Sequence, residues 1–428
     1  MADMALSNAG AKQAPLTTAD GVPLKRKLAI SLRRKRLTAF FLTAPLLLFM
    51  LISFIIPIGQ MLVRSYHNDA FSKALPNTAA ALREWDPTSS EDGLPDEEIF
   101  AILAGDLAQA RKDRTIGRAA TRINYDLSGT RSTFMKSARR ANRLEAPFKE
   151  AVLGIDEDWS NPSLWVTMKR ASSDVTPSFF LAAVDRKLAD DGSIVMQADF
   201  LQIYVNLFWR TLWLSFVITV LCFVLAYPIA YLMSVLPLRT SNLLMILVLL
   251  PFWTSLLVRT TAWIALLQTE GIINDILVTI GILSDDGRVQ MIYNQTGTIV
   301  AMTHILLPFM VLPLYSVMKT IPPSYMRAAR SLGATPFTAF RRVYFPQTVP
   351  GIAAGTLLVF IIAIGYYITP ALVGGQDGVL ISNLIADHVR RSLNWSLAAA
   401  LGAILLAGVL ILYWLYNKLV GVDNLKFG

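Results

Sequence analysis

Ile321-Pro-Pro-Ser-Tyr-Met-Arg-Ala-Ala-Arg-Ser-Leu-Gly-Ala-Thr-Pro-Phe-Thr-Ala-Phe-Arg-Arg-Val-Tyr-Phe-Pro346 is the stretch from which the rest of the chain can be read. Its punctuation predicts two short helices set at an angle. Ser324 is placed to cap the first, which runs to about Leu332, and Gly333 supplies the residue past its end that tolerates φ > 0. Thr335 then caps a second helix with Pro336 at its first position, where a missing N–H is harmless, and Pro346 is expected to stop it. Tyr325, Met326, Leu332, Phe337, Phe340 and Val343 stand among Arg327, Arg330, Arg341 and Arg342, and the loop 319–350 contains no acid. A helix–glycine–helix wedge with apolar knobs and arginines is suited to a groove on another protein.

Both flanks of this loop are strongly apolar. A bilayer core of about 30 Å takes about 20 helical residues per crossing. Six runs qualify, at about 37–62, 207–235, 243–267, 295–317, 351–371 and 396–417. Of 428 residues, 54% are hydrophobic and only 16% charged, with a mean hydropathy of +0.49. The charge is concentrated: 38 of the 69 Asp, Glu, Lys and Arg residues lie in 65–200, where 17 basic and 21 acidic residues leave −4. Composition therefore excludes a disordered chain, a disulfide-rich scaffold and an ordinary soluble enzyme. It predicts an all-α membrane protein of six transmembrane helices, with a mainly helical insert, 65–200, between the first two. The net charge of +9 sits beside the apolar runs and forms no aromatic-interleaved patch, so nucleic acid is not an expected partner.

Lys25, Arg26, Lys27, Arg33, Arg34, Lys35 and Arg36 precede the first span, and the basic loop 319–350 lies on the same side under in–out alternation. The positive-inside rule makes both cytoplasmic. The N-terminal tail 1–36 and the C-terminal tail 421–428 are then inside, and the insert is outside. The first 24 residues, rich in Ala, Ser and Thr, read as disordered.

No phosphate-cradling G-x-x-x-x-G-K-[ST] loop, H-E-x-x-H, G-x-S-x-G or C-x-x-C occurs. Cys222 is the only cysteine, so no intrachain disulfide is possible. His67, His304 and His388 are scattered, and Asp156-Glu157-Asp158 lacks the glycine and closing glutamate of a calcium loop. No catalytic or metal-ligating set is expected.

The loop resembles the cytoplasmic coupling motif of ABC importer permeases, whose pattern reads E-A-A, three residues, G-A, then F, V and P at fixed offsets. Ala328, Ala329, Gly333, Ala334, Phe340, Val343 and Pro346 match it, while Arg327 stands where the pattern has glutamate. Phe208–Ser215, Pro251–Trp263 and Tyr366–Gly375 look like the spermidine/putrescine branch of these permeases. That branch often has an acid near the position of Tyr366 and Tyr367. The resemblance covers about 200–420, the core domain being set at 201–420, and leaves out the insert. It implies a permease subunit of a binding-protein-dependent importer, with a sister permease, ATPase subunits that carry ATP and Mg, a periplasmic solute-binding protein, and a place in the bacterial inner membrane. It also implies that the chain itself binds no cofactor.

Trp253, Thr254, Arg259 and Trp263 on the third span, and Tyr366, Tyr367 and Thr369 near the outer end of the fifth, are the candidate pathway residues. Their alternative is packing or interfacial anchoring, with Arg259 able to snorkel. Gly351-x-x-x-Gly355 reads as a helix-packing site, against this chain or a sister. Trp85, Trp159, Trp165, Phe179 and Phe180 are expected to seed a core for the insert. Two other classes stay open from the residues alone. A stand-alone secondary transporter calls for intramembrane acids, broken helices or repeats, none of which is read in the sequence, and a receptor sensing through the insert calls for a cytoplasmic output domain.

Overall fold

The structure, a computed structural model, describes residues 24–420 except residue 89. The Ala/Ser/Thr-rich start and the tail 421–428 lie outside the described residues. The chain divides into two units, Met1–Met61 and Leu62–Gly428.

In the first unit a helix begins at Leu24 and continues through Leu51–Ile55, a wide turn of π-helix, into Ile56–Arg64. The apolar stretch is Ser31–Arg64, longer than the expected 37–62. The π-turn precedes Pro57, and Ile56 N–H bonds the Leu51 carbonyl. Proline lacks an N–H and its ring collides with the carbonyl four residues back; one wide turn ahead of it removes both conflicts without ending the helix.

The second unit opens with the insert. Seven helices between Ala70 and Ala171 enclose a core in which Phe71, Leu82, Phe100, Leu107, Phe134, Trp159 and Trp165 are fully buried. Trp159 packs edge-on against Phe134 at 5.2 Å and lies 5.5 Å from Trp165. Both indoles are satisfied, Trp159 Nε1 donating to Ser137 Oγ and Trp165 Nε1 to the Trp159 carbonyl. Trp85 joins this core as expected, whereas Phe179 and Phe180 do not. They pack with Tyr204, Ile381, Leu397 and Leu401, the ends of the bundle helices. The Asp156 stretch is engaged by side chains: Asp156 pairs with Lys136 at 2.7 Å and Asp158 with Thr133.

A hairpin of Arg186–Leu188 and Ile194–Met196 closes the insert, in register Lys187↔Val195. The mainly helical reading did not anticipate it. Asp191-Gly192 makes its turn, with Gly192 at φ +85 and Asp191 Oδ1 accepting from Ser193 N–H. Asp185, just before it, accepts from the N–H groups of Ile203, Tyr204 and Val205 at 2.8–3.1 Å. A carboxylate of the insert thereby satisfies the first donors of the next crossing and sits at the positive end of its dipole.

Among the described residues six helical stretches are long and apolar enough to cross a membrane: Ser31–Arg64, Tyr204–Val235, Leu256–Thr279, Gln295–Thr320, Pro336–Gly365 and Trp395–Lys418, with a shorter apolar helix Leu238–Trp253. The second, fourth and fifth form the centre. Leu214, Ile218, Cys222, Ala226 and Ala230 recur every four residues on the second and are all fully buried. Their small members let Met302, Leu306 and Met310 of the fourth approach. Gly351 and Gly355 face the same helix. A Cβ on Gly355 would stand 2.7 Å from Met310 Sδ, so this pair packs within the chain.

Three sequence expectations need correction here. The third span, read as one helix over 243–267, is two: Leu238–Trp253 and Leu256–Leu267, with Thr254 and Ser255 extended between them at ψ 143 and 141. Both run along the fourth crossing, Phe252 against Phe309 at 5.1 Å and Trp263 against His304 at 5.3 Å. Pro251 removes one helical donor, and the Thr254 hydroxyl donates to the Pro251 carbonyl, competing with the backbone ladder. Second, the fifth span ends at Gly365, not 371; Tyr366 and Tyr367 form a break before Ile368–Val373. Third, Pro346 does not end the loop's second helix. Pro336–Ala339 continues through a π-turn, Phe340–Tyr344, into Phe345–Gly365. The device is the one used ahead of Pro57.

Candidate functional site

At one end of the bundle lies the loop. Its first helix is Pro323–Ser331; Pro322 occupies the capping position, so Ser324 is inside the helix and caps nothing. The C-terminus is closed by a Schellman motif. Gly333 N–H donates to the Arg330 carbonyl at 3.0 Å and Ala334 N–H to the Ala329 carbonyl at 3.1 Å, with Gly333 at φ +88. Ala329, Gly333 and Ala334 are therefore the residues that make the bend, and Ala329 and Ala334 are both half-buried. Thr335 caps the second helix as its position predicts, its Oγ1 accepting from Thr338 N–H at 3.2 Å.

The knobs divide into two sets. Leu332 is 89% and Phe337 71% exposed, pointing away from the bundle with Tyr325. Met326 and Phe340 pack on the central core. Phe340 meets Tyr227 and Tyr231 of the second crossing edge-on, each at 6.2 Å, and stacks on Tyr344 at 5.8 Å. Val343 is half-buried and Pro346 exposed. Arg327 and Ala328 lie on the exposed surface, and among the described residues the side chains of Arg327, Arg330, Arg341 and Arg342 have no partner. The outward set and the arginines are free for another protein, while the inward aromatics tie the wedge to the bundle.

The second group lies around the two helix breaks. Arg259, one turn into Leu256–Leu267, folds back over the break in the third crossing. Its guanidinium donates to the carbonyls of Pro251 and Thr254, the latter at 2.9 Å, and its Nε contacts Thr254 Oγ1 at 3.3 Å. These are carbonyls that an unbroken helix would have used itself. Trp263 donates Nε1–H to His304 Nδ1 at 3.1 Å, so His304 is a helix-packing partner. Trp253 is 67% exposed.

The break after the fifth crossing is built similarly. Ser382 Oγ donates to the Tyr366 carbonyl and Asn383 Nδ2 to the Tyr367 carbonyl, both at 2.7 Å. Arg390 lies 5.2 Å over the Tyr367 ring and donates to its hydroxyl at 2.6 Å. Thr369 is buried, and its hydroxyl has no hydrogen-bond partner among the described residues; the same holds for Ser215 and Thr303. Leu256–Leu267 packs against Ile368–Val373, so the two broken segments are neighbours. Sequence reading missed Ser382, Asn383 and Arg390. Their only local signal is polarity on a short amphipathic helix, Ile381–Arg390. Among the six crossings only Leu256–Thr279 contains acids, Glu270 and Asp275, both beyond the helix end at Leu267; neither helix break has one.

A family model described as binding-protein-dependent transport system inner membrane component matches residues 175–420. The spermidine/putrescine transport system permease protein PotB of Haemophilus influenzae is 36% identical over 221 residues, 51% of this chain and 77% of that protein. PotB of Escherichia coli strain K12 is 34% identical over 51% of this chain and 80% of its own length. Among solved structures, a bacterial ABC transporter involved in import of the acidic polysaccharide alginate aligns with a TM-score of 0.43 at 18% identity, over 54% of this chain and 82% of that one. The matched segment takes in both helix breaks and the loop wedge, and excludes most of the insert. The chain belongs to the binding-protein-dependent inner membrane component family and is a multi-pass ABC importer permease subunit, not an enzyme.

Proposed function

We propose that the chain forms part of the pathway for a small organic solute of polyamine type, and that the loop 321–346 is where ATPase subunits drive it. The single observation that carries this is the wedge: a Schellman bend presents Leu332, Phe337 and unpartnered arginines outward, while Phe340 holds the same segment to the second crossing. A push on the exposed face reaches the bundle core through one aromatic cluster. The PotB relatives support a polyamine solute. ATP and Mg belong to the partner subunits, and a sister permease and a periplasmic solute-binding protein complete the assembly. Both chain ends face the cytoplasm and the insert faces outward.

With no carboxylate at either helix break, a protonated amine there would be met by Tyr366, Tyr367, Thr369, the carbonyls at the breaks and aromatic faces. Trp253, Thr254, Arg259 and Trp263 border the same route. The lack of an acid at either helix break, with Arg259 beside one of them, favours one second reading, a solute that carries a carboxylate beside its amine.

The test is uptake of radiolabelled putrescine and spermidine in cells expressing the chain with the ATPase, sister permease and binding protein encoded beside it. ATP-dependent uptake that is lost without this chain supports the reading. Uptake of an amino-acid-like solute in place of both amines would overturn the substrate class while leaving the permease role. Topology is checked separately. Cys222 is buried and unreactive to surface reagents, so an impermeant maleimide should label an exposed Ser128→Cys in intact cells; labelling only after lysis would reverse the orientation.

A further inference from the structure

Where the insert meets the start of the sixth crossing, a groove of about 800 Å³ opens, lined among others by His67, Arg118, Arg122, Arg131, Arg391 and Trp395. The one acid that lines it, Asp69, is already paired, with Lys73 at 2.6 Å and His67 at 3.4 Å. Arg122 pairs with Asp126, outside the lining, at 2.8 Å. Arg122 is committed further, donating to Asn68 Oδ1 and stacking 5.0 Å over Phe179. Arg118 and Arg131 have no side-chain partner among the described residues, and Arg391 reaches only Asp387, at 3.6 Å. Three guanidinium groups thus face the groove with almost no counter-charge.

The level of the groove in the bilayer follows from its neighbours. Trp395 is the first residue of the sixth crossing, and Arg64, the last of the first, stands 5.9 Å from its ring. Tryptophan and arginine at the ends of spans mark the headgroup layer. Beside Arg391 the groove wall also carries Leu393, 66% exposed and held at φ +53, a conformation a leucine rarely adopts. Exposed apolar carbon next to arginines suits an amphipathic ligand. A soluble anion would use the arginines alone.

We infer that this groove binds the phosphate of an anionic phospholipid headgroup, with Arg118, Arg131 and Arg391 as its ligands and Leu393 and Trp395 against the glycerol and upper acyl carbons. Guanidinium forks match phosphate oxygens in pairs. Two of the three arginines come from the insert, outside the family match. The lipid would therefore bridge the insert to the family-matched bundle at the bilayer surface.

The test uses the full chain purified in detergent and titrated with dioleoyl phosphatidylglycerol, dioleoyl phosphatidylcholine or inorganic phosphate, reading bound lipid by native mass spectrometry and thermal stability in parallel. Phosphatidylglycerol should bind the wild type at least about tenfold more tightly than phosphatidylcholine. The combined variant Arg118→Gln, Arg131→Gln, Arg391→Gln should lose that preference. A control with the same charge change on the insert, Arg139→Gln, Arg140→Gln, Arg143→Gln, should keep it. Equal affinity of wild type for the two lipids overturns the inference without reference to any variant. So does a preference retained by the groove variant. Stabilisation by inorganic phosphate with no gain from phosphatidylglycerol would mean a free-anion site and would equally overturn it.

Discussion

Gly333 is the point where the coupling assignment can be made quantitative. Its φ of +88 lies in the region where a Cβ raises the energy, by about 1–2 kcal/mol for an ordinary residue. A Cβ built there meets nothing within 4 Å, so no steric term is added inside the chain. The whole intramolecular effect of Gly333→Ala is then conformational, about 1–2 kcal/mol, which makes the bent wedge some five- to thirtyfold less populated relative to its alternatives. Asn, which enters the left-handed region more readily, should recover part of the loss. Because Gly333 lies outside the six crossings, protein level and melting temperature in detergent should stay near wild type. Affinity for the ATPase subunits, measured by titrating them onto the purified permease, should fall in the order Gly, Asn, Ala, by up to about thirtyfold at Ala. Gly333→Asp should follow Ala or fall below it and uncouple uptake from hydrolysis. Equal docking by Gly333 and its Ala variant would refute the reasoning, since the bend would then not be what the partner reads.

Other consequences are independent of the partners. Arg259→Ala strands the carbonyls of Pro251 and Thr254 at the break and should destabilise the permease by about 1–3 kcal/mol, with Arg259→Lys intermediate; an unchanged unfolding midpoint in detergent would show that the break closes without the guanidinium. Asp185→Ala removes the acceptor for three backbone donors of the second crossing, at about 1–2 kcal/mol, and Asp185→Asn should retain most of the cap; limited proteolysis between the hairpin and Tyr204 is the readout. The hydrogen bond from Lys136 holds the Asp156 carboxyl below its usual value of 3.8. Its contribution is therefore present above that value and disappears as pH falls through the lower, folded one. Tryptophan emission from the insert core should begin to shift below about pH 4, and Lys136→Gln should move the onset upward; a transition identical in the two proteins would count against the pairing.

Much of this molecule is written locally. Six apolar runs, a basic loop without acids and a single polar insert follow from composition along the chain, because a bilayer imposes length and polarity on each segment separately. The bend at Gly333 and the Thr335 cap were legible for the same reason: both are made by groups within five residues of each other. What sequence could not decide were the places where a neighbour completes a helix. Thr254-Ser255 breaks the third crossing because Arg259 takes over the carbonyls, and Tyr366-Tyr367 ends the fifth because Ser382 and Asn383 arrive from a later helix. Pro346 signals a stop, yet the helix passes it on a π-turn braced by Tyr227 and Tyr231. Phe179 is an insert residue whose packing partners include Leu397 and Leu401 of the sixth crossing. Apart from Arg259, whose carbonyls lie five and eight residues back, each of these depends on groups well over ten residues apart. Hydrogen bonding and burial are satisfied by whatever stands alongside in space, and the order of residues along the chain does not say what that will be.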